Sequence, residues 1–142
     1  MHVLVFTHGD TDKKELFGWI GEACASAEVR NTLGAPITSS PGDTWLLAID
    51  GGVLQGFCAI TLLKSGKAKL HAFHSELSSK SGQAETALIK EAVKQAKNLG
   101  ANSINVVDYT ERHKVYEMQG WKAGVERGKR FRDYSKGLEG GK

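Results

Sequence analysis

The sequence predicts an α/β domain in which a mixed central sheet carries helices on both faces. Three observations predict this fold class. A helical pattern at 12–29 follows a short apolar run, three β-rich runs succeed one another between 44 and 74, and helix-like and strand-like periods alternate from residue 82 onward. Sheets whose strands alternate with helices in this way are usually covered on both sides.

The N-terminal part is predicted to form one strand and one helix. Residues 3–6 are a continuous apolar run, which is typical of a buried strand. At 12–29, apolar residues recur at helical spacing, and Asp12 with Glu15 has the spacing of an N-terminal capping arrangement. Residues 31–43 are rich in Gly, Pro and Ser and are predicted to be a loop.

The next segment is predicted to be a three-stranded antiparallel meander. Strands are expected at 45–49, 53–63 and 68–73. The turn Asp50-Gly51-Gly52 joins the first two, since Asp-Gly between β-rich runs is a strong hairpin signal. Gly66 belongs to the second turn.

The C-terminal half is predicted to continue as helix, strand, helix and one or two final strands. An apolar stripe at 82–99 ends before Gly100, which is suited to a helix C-cap. A buried strand at 104–107 precedes a helix at 110–119. Because a helix connects the strands at 68–73 and 104–107, these two strands are expected to be parallel.

The length of 142 residues predicts one domain, at 1–135, followed by a disordered glycine-rich tail at 136–142. The net charge is +3, but residues 1–50 carry three Lys or Arg against seven Asp or Glu, so the positive excess lies in residues 51–142. An anionic ligand is therefore expected in the second half. We expect no membrane partner and a cytoplasmic location, since no apolar run spans a bilayer and no signal peptide is recognised.

Neither the cysteines nor the histidines have the spacing of a metal site. Cys24 and Cys58 lie far apart, and both fall on predicted apolar faces. They are expected to be free buried thiols, as in a reducing compartment, and no metal is expected.

The segment from 78 to 121 carries the most chemical information. A polar glycine loop, Ser79-Lys80-Ser81-Gly82-Gln83-Ala84, opens the predicted helix. Free backbone N–H groups and the positive end of the helix dipole suit such a loop to a phosphate. The later helix ends with Tyr116 followed by Gly120-Trp121, which places a phenolic proton donor in the same unit.

These two motifs, in this order of elements, resemble the GNAT superfamily of acyl-CoA-dependent N-acetyltransferases over about residues 3–134. The loop matches the family pattern Gln/Arg-x-x-Gly-x-Gly/Ala at Gly82 and Ala84, whereas serine replaces the leading Gln or Arg. Tyr116 and Gly120-Trp121 match the family's helix end. Many members carry Asn and Ala where this chain has Tyr109 and Arg112, so local contacts to the donor are expected to differ.

The resemblance implies transfer of an acetyl group from acetyl-CoA to an amine acceptor by direct attack in a ternary complex. Tyr116 would protonate the departing thiolate. The strand at 69–74 would separate from the strand at 104–107, so that the pantetheine arm lies in the gap. The residues implied in donor binding are those of the strand end and of the glycine loop: Phe73, His74, Ser75, Lys80, Ser81, Gly82, Gln83 and Ala84.

An acceptor amine arrives protonated, so a general base is expected near the strand end. The candidates are His71, His74, Glu76 and Asp108, and we favour His74 or Glu76. In a regular strand, residues 71 and 73 share one face and residues 72 and 74 the other, so at most one of the two histidines would face the substrate.

Two other functions stay open. The chain could be a non-catalytic acyl-CoA-binding or protein-binding regulator, which the incomplete loop motif favours slightly. The segment 126–134 holds four basic residues and two aromatics, so a nucleic-acid-modifying enzyme is a further, less favoured alternative. The resemblance also leaves a homodimer open.

Overall fold

The computed structural model describes residues 2–7, 43–75 and 83–138. The predicted helix at 12–29, Cys24 and the glycine loop up to Gly82 lie outside these residues. The described elements follow in chain order: β1 (His2–Thr7), β2 (Asp43–Asp50), β3 (Val53–Leu62), β4 (Lys67–Ser75), α1 (Gln83–Asn98), β5 (Ser103–Tyr109), a 3₁₀ turn (Thr110–Arg112), α2 (His113–Met118), β6 (Lys122–Glu126) and β7 (Phe131–Gly137).

The strands form one seven-stranded sheet with the order β1-β2-β3-β4-β5-β7-β6. Strands β2, β3 and β4 are the predicted antiparallel meander. The pairing of β4 with β5 is parallel, and α1 is the crossover between them. The sheet is therefore mixed, as predicted, with the parallel pair at its centre.

The sheet carries a buried apolar cluster on each face. On the first face, β-strand side chains such as Leu46 and Ile60 pack with Leu88 and Ile89 of α1. The second face carries a separate apolar cluster, whose fully buried members come from β2 and β3: Trp45, Leu47, Ile49, Phe57 and Ala59. Residues 43–49 of β2 are all buried, and successive residues from Trp45 to Ile49 belong to the two clusters in turn, because side chains alternate between the faces of a strand.

Both described helices lie over the first face. Helix α1 buries Ala84, Leu88 and Ala92 along one stripe, as the apolar spacing predicts. Gly100 has a φ of 84°, and the N–H of Ala101 donates to the carbonyl of Ala96 across it. This closes the helix as the C-cap prediction requires.

The helix predicted at 110–119 begins with a 3₁₀ turn at Thr110–Arg112 and becomes α-helical only over His113–Met118. The residues at the two N-cap positions are Tyr109 and Arg112, and neither makes a side-chain cap hydrogen bond. The α-helix is therefore shorter than its sequence pattern suggested.

The prediction of a disordered tail from residue 136 was wrong for its first three residues. Lys136 and Gly137 belong to β7, and Leu138 is buried in the first cluster. The N–H of Leu138 donates to the carbonyl of Asn102, which fixes the end of the strand. The glycine-rich composition of the tail did not indicate that its one apolar residue, Leu138, lies in the core. Residues 139–142 lie outside the described residues.

Candidate active site

The central feature of the site is an opening between β4 and β5. Their ladder ends at the pair Leu70–Val106, although β4 runs on to Ser75 and β5 to Tyr109. Beyond this pair the two strands, as described, share no further ladder partners. The two strands thus separate beyond Leu70–Val106, as the resemblance implied.

A β-bulge shapes the β4 side of the opening. Phe57 pairs with His74 and Ala59 with His71, so two steps along β3 correspond to three steps along β4. The extra residue is Ala72, whose φ is 52°, in the left-handed region. Such bulges bend a strand and redirect its side chains.

The bulge overturns the expectation that His71 and His74 lie on opposite faces of the sheet. Phe73 packs in the first cluster, whereas His71 and His74 are each paired with a residue of the second cluster. Both histidines therefore lie toward the second face of the sheet. The expectation assumed a regular strand, and the left-handed Ala72 breaks that period.

On the β5 side, the buried carboxylate of Asp108 accepts hydrogen bonds from three donors. Asp108 is 4% exposed. Its Oδ1 accepts from Arg112 Nη1 at 2.5 Å and from the backbone N–H of Tyr109 at 2.7 Å. Its Oδ2 accepts from the hydroxyl of Tyr116 at 2.6 Å. These charge-assisted bonds place one acid, one cation and one phenol at the edge of the opening.

Burial and these partners set the protonation of the cluster. Burial raises the pKa of Asp108, and Arg112 and the hydrogen bonds oppose that rise. The pKa of Tyr116 lies well above its ordinary value because of burial and the neighbouring carboxylate. Tyr116 therefore holds its proton firmly, and a phenolate at this position would face Asp108.

Tyr116 is fully buried, and aromatic rings fix its orientation. It stacks on Tyr134 with 4.6 Å between ring centroids and meets the edge of Trp121 at 5.0 Å. Gly120, with a φ of 82°, ends α2 and lets the N–H of Trp121 donate to the carbonyl of Tyr116. The sequence spacing of Tyr116, Gly120 and Trp121 is therefore explained by the end of the helix. The chain reverses at Gly120, and the indole of Trp121 then packs against the Tyr116 ring.

Arg112 was not predicted as a site residue. Its guanidinium carbon lies 4.4 Å from the ring centroid of Phe73 on β4 and its Nη1 contacts Asp108 on β5, so it spans the opening. The sequence did contain a signal, since Arg112 stands where the resembling family often has Ala. Position alone did not show that this cation would neutralise Asp108.

The other predicted site residues are only partly described. His74 is half-buried, with its ring 5.4 Å from that of Phe57. Gln83 is exposed in the first turn of α1, whereas Ala84 is buried beneath that helix. The remaining predictions concern residues or side chains outside the described part: Ser75, Glu76, Lys80, Ser81 and Gly82. For these the sequence-based predictions stand unchanged.

Three arginines of the basic C-terminal segment are engaged in ion pairs. Arg127 binds Asp133 through two guanidinium nitrogens, at 3.0 and 3.1 Å. Arg132 binds Glu126, and Arg130 lies 3.8 Å from Glu111. These pairs bind the β6–β7 hairpin to itself and to the 3₁₀ turn, so the segment offers little unneutralised charge for a phosphate chain.

No three His, Cys, Asp or Glu side chains in residues 2–7, 43–75 and 83–138 are grouped so as to hold a metal ion. Within the same residues, no helix has the length and apolarity needed to cross a membrane.

Comparison with known proteins identifies the fold. The chain matches no protein-family model, and no curated protein matches it in sequence. Among solved structures, TofI in an apo form is 14% identical with a TM-score of 0.72, over 97% of this chain and 91% of that chain. Aminoglycoside 6'-acetyltransferase type Ii is 20% identical with a TM-score of 0.67, over 97% of each chain.

An acetyltransferase of the GNAT family from Staphylococcus aureus is 12% identical with a TM-score of 0.63, over 96% of this chain and 99% of that chain. The chain therefore has the fold found in GNAT acetyltransferases, as the resemblance of its sequence predicted. At these identities, the likeness concerns the fold.

Replacing Arg112 tests the electrostatics of the site. Arg112→Met leaves Asp108 buried without its cation, and we expect the free energy of unfolding to fall by about 3 kcal/mol. The double variant Asp108→Asn/Arg112→Met should recover more than half of this loss, because a neutral amide needs no counter-charge. Urea denaturation measures both, with Arg127→Met as the matched control that removes an exposed pair and should change little.

The pH dependence of that loss has a definite sign. A raised folded-state pKa means that the folded protein binds the proton of Asp108 more tightly than the unfolded chain does. The Arg112→Met penalty should therefore shrink as the pH is lowered from neutral toward that pKa. A penalty that is independent of pH and unrelieved by Asp108→Asn would contradict the pairing.

Proposed function

We propose that the protein transfers an acetyl group from acetyl-CoA to an amine acceptor, by direct attack in a ternary complex. One observation carries the proposal: β4 and β5 separate after Leu70–Val106, directly beside the Asp108 cluster and on the strand that leads into α1. An extended amide-rich arm can pair with the separated strands there. The GNAT fold of its structural neighbours supports acyl transfer as the reaction class.

The donor fits this opening for reasons of hydrogen bonding and charge. The pantetheine arm carries amides that can hydrogen-bond along β4 beyond Leu70, at Phe73, His74 and Ser75. The pyrophosphate would meet the N-terminus of α1 at Gln83 and Ala84, preceded by Lys80, Ser81 and Gly82 of the glycine loop. Residues 76–82 lie outside the described part of the chain, so the proposed pyrophosphate position rests on the sequence and on α1.

In the proposed reaction, the amine nitrogen forms a bond to the thioester carbonyl carbon and the carbon–sulfur bond breaks. The amine loses a proton to a base, and the thiolate of CoA takes one up. Tyr116 is the proposed proton donor to that thiolate, but its hydroxyl is held by Asp108 and its pKa is raised. We expect it to be a weak acid whose contribution to the rate is modest.

The first experiment is calorimetric titration of the full chain with acetyl-CoA and with free CoA. Micromolar binding would support the donor, and a panel of amines should then be screened for release of the CoA thiol. The panel should contain an aminoglycoside, a polyamine and a peptide, because the fold does not specify the acceptor. No binding at millimolar acetyl-CoA would overturn the enzyme proposal.

A charge change at the start of α1 tests the pyrophosphate position. Gln83→Glu adds a negative charge to an exposed first-turn residue, so acetyl-CoA affinity should fall about five- to tenfold. The same change should not lower stability, since an acidic first turn favours a helix. Gln55→Glu on β3 is the matched control, and equal affinities for the two variants would refute this position.

Replacing Tyr116 separates a catalyst from a non-catalytic binder. Tyr116→Phe should lower kcat about tenfold while the affinity for acetyl-CoA, measured by calorimetry, stays within about twofold. A regulator that only binds the donor has no turnover to lose. If turnover exists and the phenylalanine variant retains all of it, Tyr116 is structural and its hydroxyl serves Asp108 alone.

The ion pairs of the basic segment argue against the nucleic-acid alternative. A free buried thiol at Cys58, whose pKa burial raises, is compatible with a reducing cytoplasm. A cytoplasmic location and a homodimer remain predictions from the sequence and the resemblance.

A further inference from the structure

Three polar side chains form a chain of hydrogen bonds across neighbouring strands on the second face of the sheet. Asp43 of β2 is 3% exposed. The Thr61 hydroxyl on β3 donates to Asp43 Oδ1 at 2.5 Å, and Thr61 Oγ1 lies 2.8 Å from Nε2 of His71 on β4. His71 Nε2 is 3.7 Å from the same carboxylate oxygen. Neither Asp43 nor Thr61 was a predicted site residue.

The number of available protons fixes the direction of this chain. A threonine hydroxyl has one hydrogen, and a carboxylate can only accept. Because Thr61 gives its hydrogen to Asp43, its oxygen must accept from His71, so the hydrogen of the neutral imidazole is assigned to Nε2. The lone pair of His71 is then on Nδ1, for which the described residues provide no hydrogen-bond partner.

The charges around His71 suit a base that accepts a proton briefly. Burial lowers the pKa of His71, so the imidazole is neutral at pH 7. Among charged groups on the described strands, Asp43 opposes that shift and Lys69 adds to it. A proton that arrives on Nδ1 produces an imidazolium whose Nε2–H points, through Thr61, toward Asp43.

The position of His71 connects this chain to the opening. His71 directly follows Leu70, the last β4 residue that pairs with β5, and directly precedes the bulged Ala72. Its side chain is 29% exposed, so a small molecule can reach it. It lies on the opposite face of the sheet from Tyr116 and Asp108, which belong to the first face.

We propose that His71, held by Thr61 and Asp43, is the general base that takes the proton of the acceptor amine. This inference rests on the proposed function. Nδ1 first takes one proton from the ammonium group, which frees the nitrogen lone pair to bond to the carbonyl carbon. The nitrogen loses its second proton as the carbon–sulfur bond breaks, and the electron pair of that bond leaves with the CoA thiolate, which takes up one proton. His71 then returns the proton to solvent, and Thr61 and Asp43 act as positioning residues.

The hydrogen-bond chain can be tested by ¹⁵N-histidine NMR titration of the full chain without any substrate. We expect the Nε2–H tautomer for neutral His71, and a lower pKa in Asp43→Asn because the favourable charge is removed. A neutral Nδ1–H tautomer, or a His71 pKa that does not change in folded Asp43→Asn, would overturn the inference.

The catalytic role can be tested with two small acceptors at high concentration. Ethylamine is almost fully protonated at neutral pH and needs a base, whereas hydroxylamine is largely unprotonated and needs one far less. His71→Gln should lower turnover of ethylamine about a hundredfold and that of hydroxylamine less than about tenfold. His2→Gln, at an exposed position of β1, is the matched control.

The outcomes distinguish this inference from the proposed function. Equal losses with both amines, or no loss with either, while the wild type binds acetyl-CoA and acetylates an amine, would overturn the role of His71 and leave the function standing. A wild type that neither binds acetyl-CoA nor acetylates either amine would overturn both. Thr61→Val should show the same selective loss as His71→Gln, but a smaller one.

Discussion

The structure depends on the place where β4 stops pairing with β5. Two parallel strands at the centre of a sheet would ordinarily continue their ladder, and each backbone group left buried without a partner costs about 1–3 kcal/mol. Here the ladder ends at Leu70–Val106 while both strands continue, and the bulge at Ala72 bends β4 at that point. Among the described residues, β4 and β5 therefore do not bond to each other beyond this pair, and a ligand with amides of its own can lie between them.

The residues around this edge are arranged by the same break. On the first face, Asp108 follows Val106 by two residues, and its burial is tolerable only because Arg112, Tyr116 and the N–H of Tyr109 all donate to it. On the second face, His71 is the last β4 residue before the bulge, and its Nε2 lies 2.8 Å from Thr61 Oγ1, which donates to Asp43. An opening with a cation-stabilised acid on one face and a neutral imidazole on the other is suited to moving protons to and from a molecule between them.

Much of this fold could be predicted from the sequence. The periods of two and 3.6 residues located the meander, α1 and β5, and the connection through α1 predicted the single parallel pair. The irregular features could not be predicted in this way. Alternation along β4 assigned His71 and His74 to opposite faces, because nothing in the sequence marks Ala72 as left-handed. Likewise Leu138 was assigned to a disordered tail. Its position is fixed by a backbone hydrogen bond to Asn102, which is distant in the sequence, and no local pattern indicates such a bond.

The site was predictable where a motif had a local cause and not where it depended on charge pairing between elements. Gly120 and Trp121 are spaced from Tyr116 by the geometry of a helix end, so the motif could be read. Arg112 with Asp108, and Thr61 with Asp43 and His71, are brought together by the three-dimensional structure. In the second of these groups, the shortest contact joins Asp43 and Thr61, which are paired across β2 and β3 and lie 18 residues apart in the sequence.

The most direct test of the central claim is hydrogen exchange of the backbone amides with and without saturating acetyl-CoA. If the donor occupies the opening, amides of residues 71–75 and 107–109 should exchange more slowly in its presence, while those of β1 and β6 should not change. Binding without protection of these two segments, or protection confined to the β6–β7 hairpin, would show that the opening between β4 and β5 is not the donor site.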